Sequence, residues 1–218
     1  MTAKDPVLNP TALAILALIG IRPITGYQLT QQARRSLVAI WPKADSVLYE
    51  HPRRLEALGL IRCTVEANGN RTRKRYRITA AGRRALRRWL ASEPKAVGLE
   101  IEPLLRLIFA DHGSLEDAHR AVAALEQWAR TRLEDGLPVA EAYQAGAGDY
   151  PERTHLNILI MMLLGDIYSA VLRWAGDARG EMERWRSTTD PGPHSQAQQL
   201  LEDGIRRSRL ALAEAQAR

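Results

Sequence analysis

A run of basic residues lies between Asn68 and Thr79, in the segment NGNRTRKRYRIT. Five of the seven positions from 71 to 77 are Lys or Arg, and none is acidic. In an extended strand, alternate side chains point to opposite faces, so the arginines would form one row while Tyr76 and Ile78 face inward. Because such a row repels itself, the pattern predicts an anionic partner that neutralises it.

Positive charge is concentrated in the first part of the 218-residue chain. Residues 1–90 hold 17 Lys and Arg against 5 Asp and Glu, a net charge of +12, whereas residues 91–218 hold 14 against 20, a net charge of −6. A basic domain is the electrostatic footprint of a nucleic-acid-binding protein. A membrane surface could also attract it, so charge alone does not choose between the two partners.

Three short helices are predicted ahead of the basic segment, over residues 11–20, 26–37 and 46–58. The first is apolar almost all round, as a buried helix would be. Thr25 is the expected N-cap of the second helix, and Gly59 ends the third. Short helices joined by tight turns are typical of the helical half of a helix-turn-helix domain.

A β-hairpin is predicted after Gly59, because the apolar period changes from about 3.6 to 2. Ile61, Cys63 and Val65 alternate with polar residues, the Asn-Gly pair of the segment ANGN predicts a tight turn, and the arginine strand returns. Thr79 then caps a fourth helix. The free Cys63 is expected to face inward, and the order of elements predicts a winged helix-turn-helix.

The rest of the chain is predicted to be helical. Two prolines and a glycine mark a linker, and four helices follow near 101–111, 114–134, 152–186 and 194–216. We therefore expect a mainly α protein with a small β-hairpin wing. Its N-terminal winged helix-turn-helix DNA-binding domain spans 1–92, its linker spans 93–103, and its C-terminal helical dimerisation domain spans 104–218.

The third helix has the pattern of a recognition helix. Leu48, Pro52 and Leu55 share one stripe, and polar groups that can bond phosphates and base edges occupy the opposite face. A solvated face, or a charged sheet edge that discourages aggregation, would show the same charges. The carboxylate of Glu50 favours selectivity, because it can accept a bond from a cytosine amino group. The predicted DNA-binding residues are Lys43, Ser46, Tyr49, Glu50, Arg53, Arg54, Arg71, Arg73, Lys74, Arg75 and Arg77.

The segment HLNILIMMLLGDIYSAVLRW, residues 155–174, is apolar on more than one face. This exceeds what a helix packed on a single neighbour needs, so we expect a second subunit to cover it. A dimer would also present two winged domains to half-sites about one DNA turn apart, on a (pseudo)palindromic operator. The predicted dimerisation residues are Ile158, Met161, Met162, Leu164, Leu201, Ile205 and Leu212.

Several segments together resemble the PadR-like transcriptional regulators over about residues 8–90: LAILALIG and TGYQL, then LYEHPRRLEALGLI, then RKRYRITAAGRRAL. The resemblance implies a homodimeric repressor whose helical C-terminal region forms the dimer and which often responds to a small molecule. It also implies that Tyr49 and its neighbours touch the operator and that residues 71–77 form the wing. Pro52 departs from the pattern, which has Leu there, and should bend the recognition helix.

An effector pocket is one interpretation of the aromatic residues, and an ordinary core is the other. Asp166 stands inside an apolar run, where a buried carboxylate would need a partner such as Arg106 or Arg173. The candidate effector-binding residues are Trp89, Trp128, Asp166 and Trp174.

No enzyme is expected, because the sequence lacks a Gly-rich phosphate loop, a nucleophile elbow and an HExxH motif. Asp111, His112 and His119 are the most tempting metal cluster, but their spacing makes convergence on one ion improbable, so we predict no metal and no cofactor. The start of the chain lacks the layout of a signal peptide. The run 158–164 is far shorter than the roughly 20 residues that span a bilayer, which predicts a cytoplasmic protein with no membrane segment. A nonspecific architectural DNA-binding protein remains the alternative to a sequence-specific regulator.

Overall fold

Helices make up most of the protein, and a small antiparallel sheet lies near its N-terminus. The computed structural model describes residues 8–37, 40–41, 45–68 and 71–217, without the side chains at 45–49, 67, 68 and 71. The chain divides into two units, Met1–Val97 and Gly98–Arg218. The division falls inside the segment 93–103 that was predicted to be a linker.

The first unit is a winged helix-turn-helix, as the sequence predicts. Its elements are α1 Pro10–Ile21, β1 Ile24–Thr25, α2 Gly26–Ser36, α3 Asp45–Ala57, β2 Ile61–Asn68, β3 Arg71–Ile78 and α4 Ala80–Leu90. The three strands form a sheet in the order β1-β3-β2, with β3 antiparallel to both neighbours. Strand β1 lies where the sequence predicts only a turn, because two residues are too few to show an alternating pattern.

The core of this unit is built around α1, which contacts α2, α3, α4 and β3. A helix with neighbours on every side has no face left for polar residues, which explains the apolar sequence of α1. The largest fully buried side chains here are Ile15, Leu16, Ile19, Leu29, Leu55 and Ile61.

The junction between the hairpin and α4 is fixed by Thr79 and Gly82. The Thr79 hydroxyl accepts a hydrogen bond from the Gly82 amide at 3.1 Å, which caps α4. It also lies 2.7 Å from the carbonyl oxygen of Gly59, to which it can donate. A Cβ atom on Gly82 would lie 2.2 Å from the Leu60 carbonyl oxygen. The helix can therefore approach β2 this closely only with glycine at that position.

The second unit is helical, as predicted, with α5 Glu102–Ile108, α6 Leu115–Gln144, α7 Thr154–Met182 and α8 Ala197–Gln216. Helix α6 continues through Pro138, ten residues past the predicted end at 134. Its last turn is held by a tertiary contact, since the Asn157 side-chain amide of α7 donates to the Tyr143 hydroxyl at 2.7 Å. Contacts of this kind override the local helix-breaking tendency of Gly and Pro.

A buried carboxylate holds the loop between α7 and α8. Glu181 is 4% exposed and accepts hydrogen bonds from the Trp185 indole at 2.9 Å, from the Gln196 amide at 2.8 Å and from the Ser195 hydroxyl. Burial alone would raise the pKa of Glu181, but these hydrogen bonds bring the pKa below its ordinary value. Glu181 is therefore an ionised anchor for the start of α8.

Helix α7 is much more apolar over its whole length than the run 158–164 suggests. By length and composition alone, the segment Pro151–Met182 is long and apolar enough to cross a membrane, whereas the sequence prediction considered only the run 158–164. Few of these residues are buried within the single chain. An apolar helix that forms a subunit interface meets the same criteria, so length and composition do not choose between lipid and protein as its cover.

Candidate nucleic-acid interface

The outward face of α3 carries charged side chains over a buried apolar stripe. Leu55 and Pro52 are buried, and Glu50, Arg53 and Arg54 are exposed, as the helical period predicts. Helix α3 runs through Pro52 as one element. Ser46 and Tyr49 belong to α3, but their side chains are outside the described residues, and so is the whole of Lys43.

His51 is an unexpected member of the buried side of α3. Its side chain is 7% exposed, although it lies between the exposed Glu50 and the buried Pro52. Burial and the nearby charge of Arg54 lower the pKa of His51 from its ordinary value. The imidazole is thus neutral at physiological pH, and the charged side chains described on the α3 surface are those of Glu50, Arg53, Arg54 and Glu56.

The β2–β3 hairpin displays the predicted row of arginines on one face. Arg77 lies directly opposite Arg62, and Arg73 lies opposite Glu66. Arg62, Arg73 and Arg77 are exposed, and none forms an ion pair within the part of the chain that the structure describes. Like charges directly opposite each other destabilise a sheet, so the pair Arg62–Arg77 favours an anionic ligand.

Arg62 is not among the predicted DNA-binding residues, which on the hairpin all lie on the returning strand β3. Its position could have been found by pairing the strands across the Asn-Gly turn, because the register places it opposite Arg77. Lys74 lies on the other face of the hairpin, opposite Val65, and is exposed. The Arg71 backbone starts β3, while its side chain is outside the described residues.

Arg75 differs from the other arginines of the row. Its Nε atom lies 2.9 Å from Oε2 of Glu66, and its side chain is 28% exposed. Arg75 is one of the predicted DNA-binding residues, but its guanidinium group is already paired within the hairpin.

Helix α3 and the hairpin are joined directly, so their charges belong to one surface. The Cys63 backbone amide of β2 donates a hydrogen bond to Oε1 of Glu56 at 3.2 Å. Burial raises the pKa of Tyr76 on β3, and the charge of Arg53 on α3 opposes that rise. Cys63 is half-buried on the Tyr76 face, in line with its predicted inward orientation.

The predicted dimerisation residues lie on a large apolar surface of the second unit. On α7, Met162 is 62% exposed and Ile158 is 40% exposed, while Met161 and Leu164 are half-buried. Helix α8 has no buried residue. Its predicted contact residues Leu201, Ile205 and Leu212 are all exposed.

The structure divides the candidate effector residues between the two units. Trp89 is 38% exposed on α4, and Trp128 and Trp174 lie in the second unit. Trp128 packs edge-on against Tyr168, with 5.1 Å between ring centres. Trp174 packs against the α6–α7 core, which fits the core interpretation.

Asp166 is exposed within the single chain, so its burial stays a prediction. The expected partner Arg106 instead lies 2.5 Å from Glu102 on its own helix. The reason is that the apolar residues on either side of Asp166 in α7 are not covered within the single chain.

The chain matches a known family over the part that forms this interface. Residues 15–88 match the model of the Transcriptional regulator PadR-like family. The winged domain is therefore similar to the PadR-like family over these residues, in agreement with the resemblance of its sequence motifs. No curated protein sequence matches the chain.

Several solved structures share the fold of this chain. Bacillus subtilis PadR in complex with operator DNA is 19% identical, with a TM-score of 0.67, and the match covers 80% of this chain and 99% of that one. The same protein in complex with p-coumaric acid is 20% identical, with a TM-score of 0.60 and coverage of 81% and 99%. The Vibrio cholerae virulence activator AphA is 23% identical, with a TM-score of 0.63 and coverage of 79% and 98%.

Proposed function

We propose that this protein is a sequence-specific DNA-binding transcriptional regulator of the cytoplasm. The observation that carries the proposal is the joint surface of α3 and the hairpin. It exposes Arg53 and Arg54 on the helix and Arg62, Arg73 and Arg77 on the wing. Helix α3 would enter the major groove, and the wing arginines would bind the sugar-phosphate backbone or the minor groove.

The proposed assembly is a homodimer formed by the second unit. Leu159, Met162 and Leu163 are more than 60% exposed on α7, and a surface of this kind on a water-soluble protein marks an interaction site. Two copies would cover each other's α7 and α8 and hold two winged domains on one axis. The operator is then expected to be (pseudo)palindromic, with half-site centres about 10 base pairs apart or a multiple of that.

A small-molecule effector that releases the DNA is a further part of the proposal. It is supported by the related fold of Bacillus subtilis PadR in complex with p-coumaric acid. Of the four candidate residues, Trp128, Asp166 and Trp174 have the stronger claim, because they lie in the unit that would form the dimer. Repression is proposed from the family resemblance, and activation is the alternative that AphA represents.

Selection of binding sites from a random DNA pool, followed by footprinting, tests the central claim. We expect one enriched sequence with two related half-sites, bound about 10³-fold or more tightly than bulk DNA. Equal retention of all sequences, with a steep dependence on salt, would instead identify a nonspecific architectural protein. Failure to bind any duplex at low ionic strength would reject both functions.

A further inference from the structure

One arginine of the wing is held on two sides by the protein itself. Arg75 Nε lies 2.9 Å from Oε2 of Glu66 on β2, and Arg75 Nη1 lies 3.5 Å from the carbonyl oxygen of Pro23, just before β1. The Thr64 hydroxyl donates to the Arg75 carbonyl oxygen at 3.3 Å. The guanidinium group thus links both strands that flank β3.

The sheet register explains why this position differs from its neighbours. Arg75 pairs with Thr25 on one side and Thr64 on the other, because β1 reaches only this part of β3. Arg73 and Arg77 have a paired residue only on β2. Glu66 faces Arg73 directly but forms its ion pair with the diagonal neighbour Arg75, which leaves the Arg73 guanidinium available.

We infer that Arg75 and Glu66 are positioning residues that set the angle of the wing, and that Arg75 is not one of its phosphate contacts. The planar fork of arginine can bond two acceptors at once. It fixes the hairpin to residues 23–25, where Thr25 also caps α2 through a capping box with Gln28. The angle of the wing is thereby tied to the helical half of the domain. The inference rests on the proposed DNA binding.

Salt dependence separates a residue that binds phosphate from a positioning residue, because each phosphate bound adds about 0.9 to the slope of log affinity against log salt concentration. For Arg73→Ala we expect a slope that is shallower by about 0.9 for each phosphate that Arg73 binds. For Arg75→Ala we expect an unchanged slope and an affinity for the selected operator that falls about twofold to fivefold, the range for a partly exposed ion pair. An equally shallow slope in both variants would overturn the inference.

Two further variants give results that simple charge counting does not predict. Glu66→Gln makes the wing more positive, so electrostatics alone would tighten DNA binding, whereas removal of the ion pair that positions the wing should weaken operator binding. Arg73→Lys should retain most of the affinity, because an ammonium group still binds phosphate as a point charge. Arg75→Lys should behave like Arg75→Ala, because lysine cannot bond Glu66 and the Pro23 carbonyl with one planar group. Tighter binding by Glu66→Gln, or full retention of affinity by Arg75→Lys, would contradict the inference.

An experiment without DNA separates this inference from the proposed function. In the full-length protein, Glu66→Gln and Arg75→Ala should each speed amide hydrogen exchange in residues 61–78 and leave α1 unchanged. The double variant that carries both Glu66→Arg and Arg75→Glu keeps the net charge but loses the hydrogen bond to the Pro23 carbonyl oxygen, so it should exchange as fast as Arg75→Ala. If the single variants exchange like the wild type, the positioning role is rejected whether or not the protein binds DNA.

Discussion

The two units of this protein differ in the kind of side chain that they expose. In the winged unit Ile15, Leu16 and Ile19 of α1 and Leu55 of α3 are buried, and exposed arginines occupy the outside. In the helical unit α7 exposes Leu159 and Met162, and α8 buries no residue at all. The first unit has a complete core and an excess of one charge, whereas the second has apolar surface without a cover.

This difference indicates what each unit binds. Exposed Lys and Arg side chains bind a polyanion favourably, because their binding releases the counterions that surround the polyanion. For exposed leucine and methionine side chains, by contrast, burial is favourable by about 25 cal/mol for each Å² of apolar surface that is removed from water. We therefore expect salt to govern the binding of the winged unit and protein concentration to govern that of the helical unit.

The largest effect should come from placing charge on α7. We expect the double variant Leu159→Glu and Leu163→Glu to be monomeric in analytical ultracentrifugation, because two carboxylates one turn apart cannot be buried without partners. Its affinity for the palindromic operator should fall about 10³-fold, towards the nonspecific level. Ala123→Glu, at an exposed position of α6, is the matched control and should remain dimeric. A double variant that stays dimeric would remove the contrast between the units.

The next largest effect should follow from removing charge on the wing. For Arg73→Ala combined with Arg77→Ala we expect about 100-fold weaker DNA binding in a titration at moderate salt, since each charged hydrogen bond contributes about 1.5–3 kcal/mol and neighbours compensate in part. The oligomeric state should not change. Arg173→Ala removes an exposed arginine from the other unit and should leave DNA affinity nearly unchanged. Equal weakening by Arg173→Ala would mean that the net charge of the whole protein is decisive.

A smaller effect is expected on sequence preference. Glu50 is exposed on α3 and can contact a cytosine amino group. Glu50→Ala should therefore reduce discrimination between the operator and single-base variants about tenfold, within the 1–3 kcal/mol expected for one base contact. A competition titration measures this, with Glu134→Ala on α6 as the control. Unchanged discrimination would exclude Glu50 from base contact.

The smallest effect on DNA binding should come from the anchor of the α7–α8 loop. Glu181→Gln is expected to lower the free energy of unfolding by about 1–3 kcal/mol, because it removes charged hydrogen bonds from a buried site. Urea titrations at one protein concentration measure it, and the exposed Glu183→Gln is the matched control.

The contribution of Glu181 to the free energy of unfolding should decrease as the pH falls. The folded state holds the pKa of Glu181 below the ordinary value of 4.5. Its contribution to stability is therefore complete above pH 4.5 and is lost as the pH falls through the lowered folded-state pKa. The difference in stability between wild type and Glu181→Gln should shrink on acidification. A constant difference down to the acid transition would contradict this assignment.

Local signals in the sequence were sufficient for most of the fold. The caps at Thr25 and Thr79 and the change of apolar period after Gly59 mark the elements of the winged unit, because caps and periodicity depend only on near neighbours. The apolar character of α7 identifies a surface that needs a cover. The outward face of α3 follows from the 100° spacing of residues along a helix.

Features that depend on distant parts of the chain could not be predicted. Strand β1 exists because β3 lies beside it, and the last turns of α6 depend on the hydrogen bond between Tyr143 and Asn157. The choice of Arg75 rather than Arg73 as partner of Glu66 depends on the reach of β1 along the sheet. Asp166 is exposed because the apolar residues beside it on α7 have no cover within the single chain.

The close approach at Gly82 has a genetic consequence. Every missense change in a glycine codon gives a residue that carries a Cβ atom, and here that atom would collide with the main-chain oxygen of Leu60. Missense alleles at codon 82 should accordingly recur among mutants selected for loss of regulation. They should fail even where the substituted residue is as small as alanine or serine.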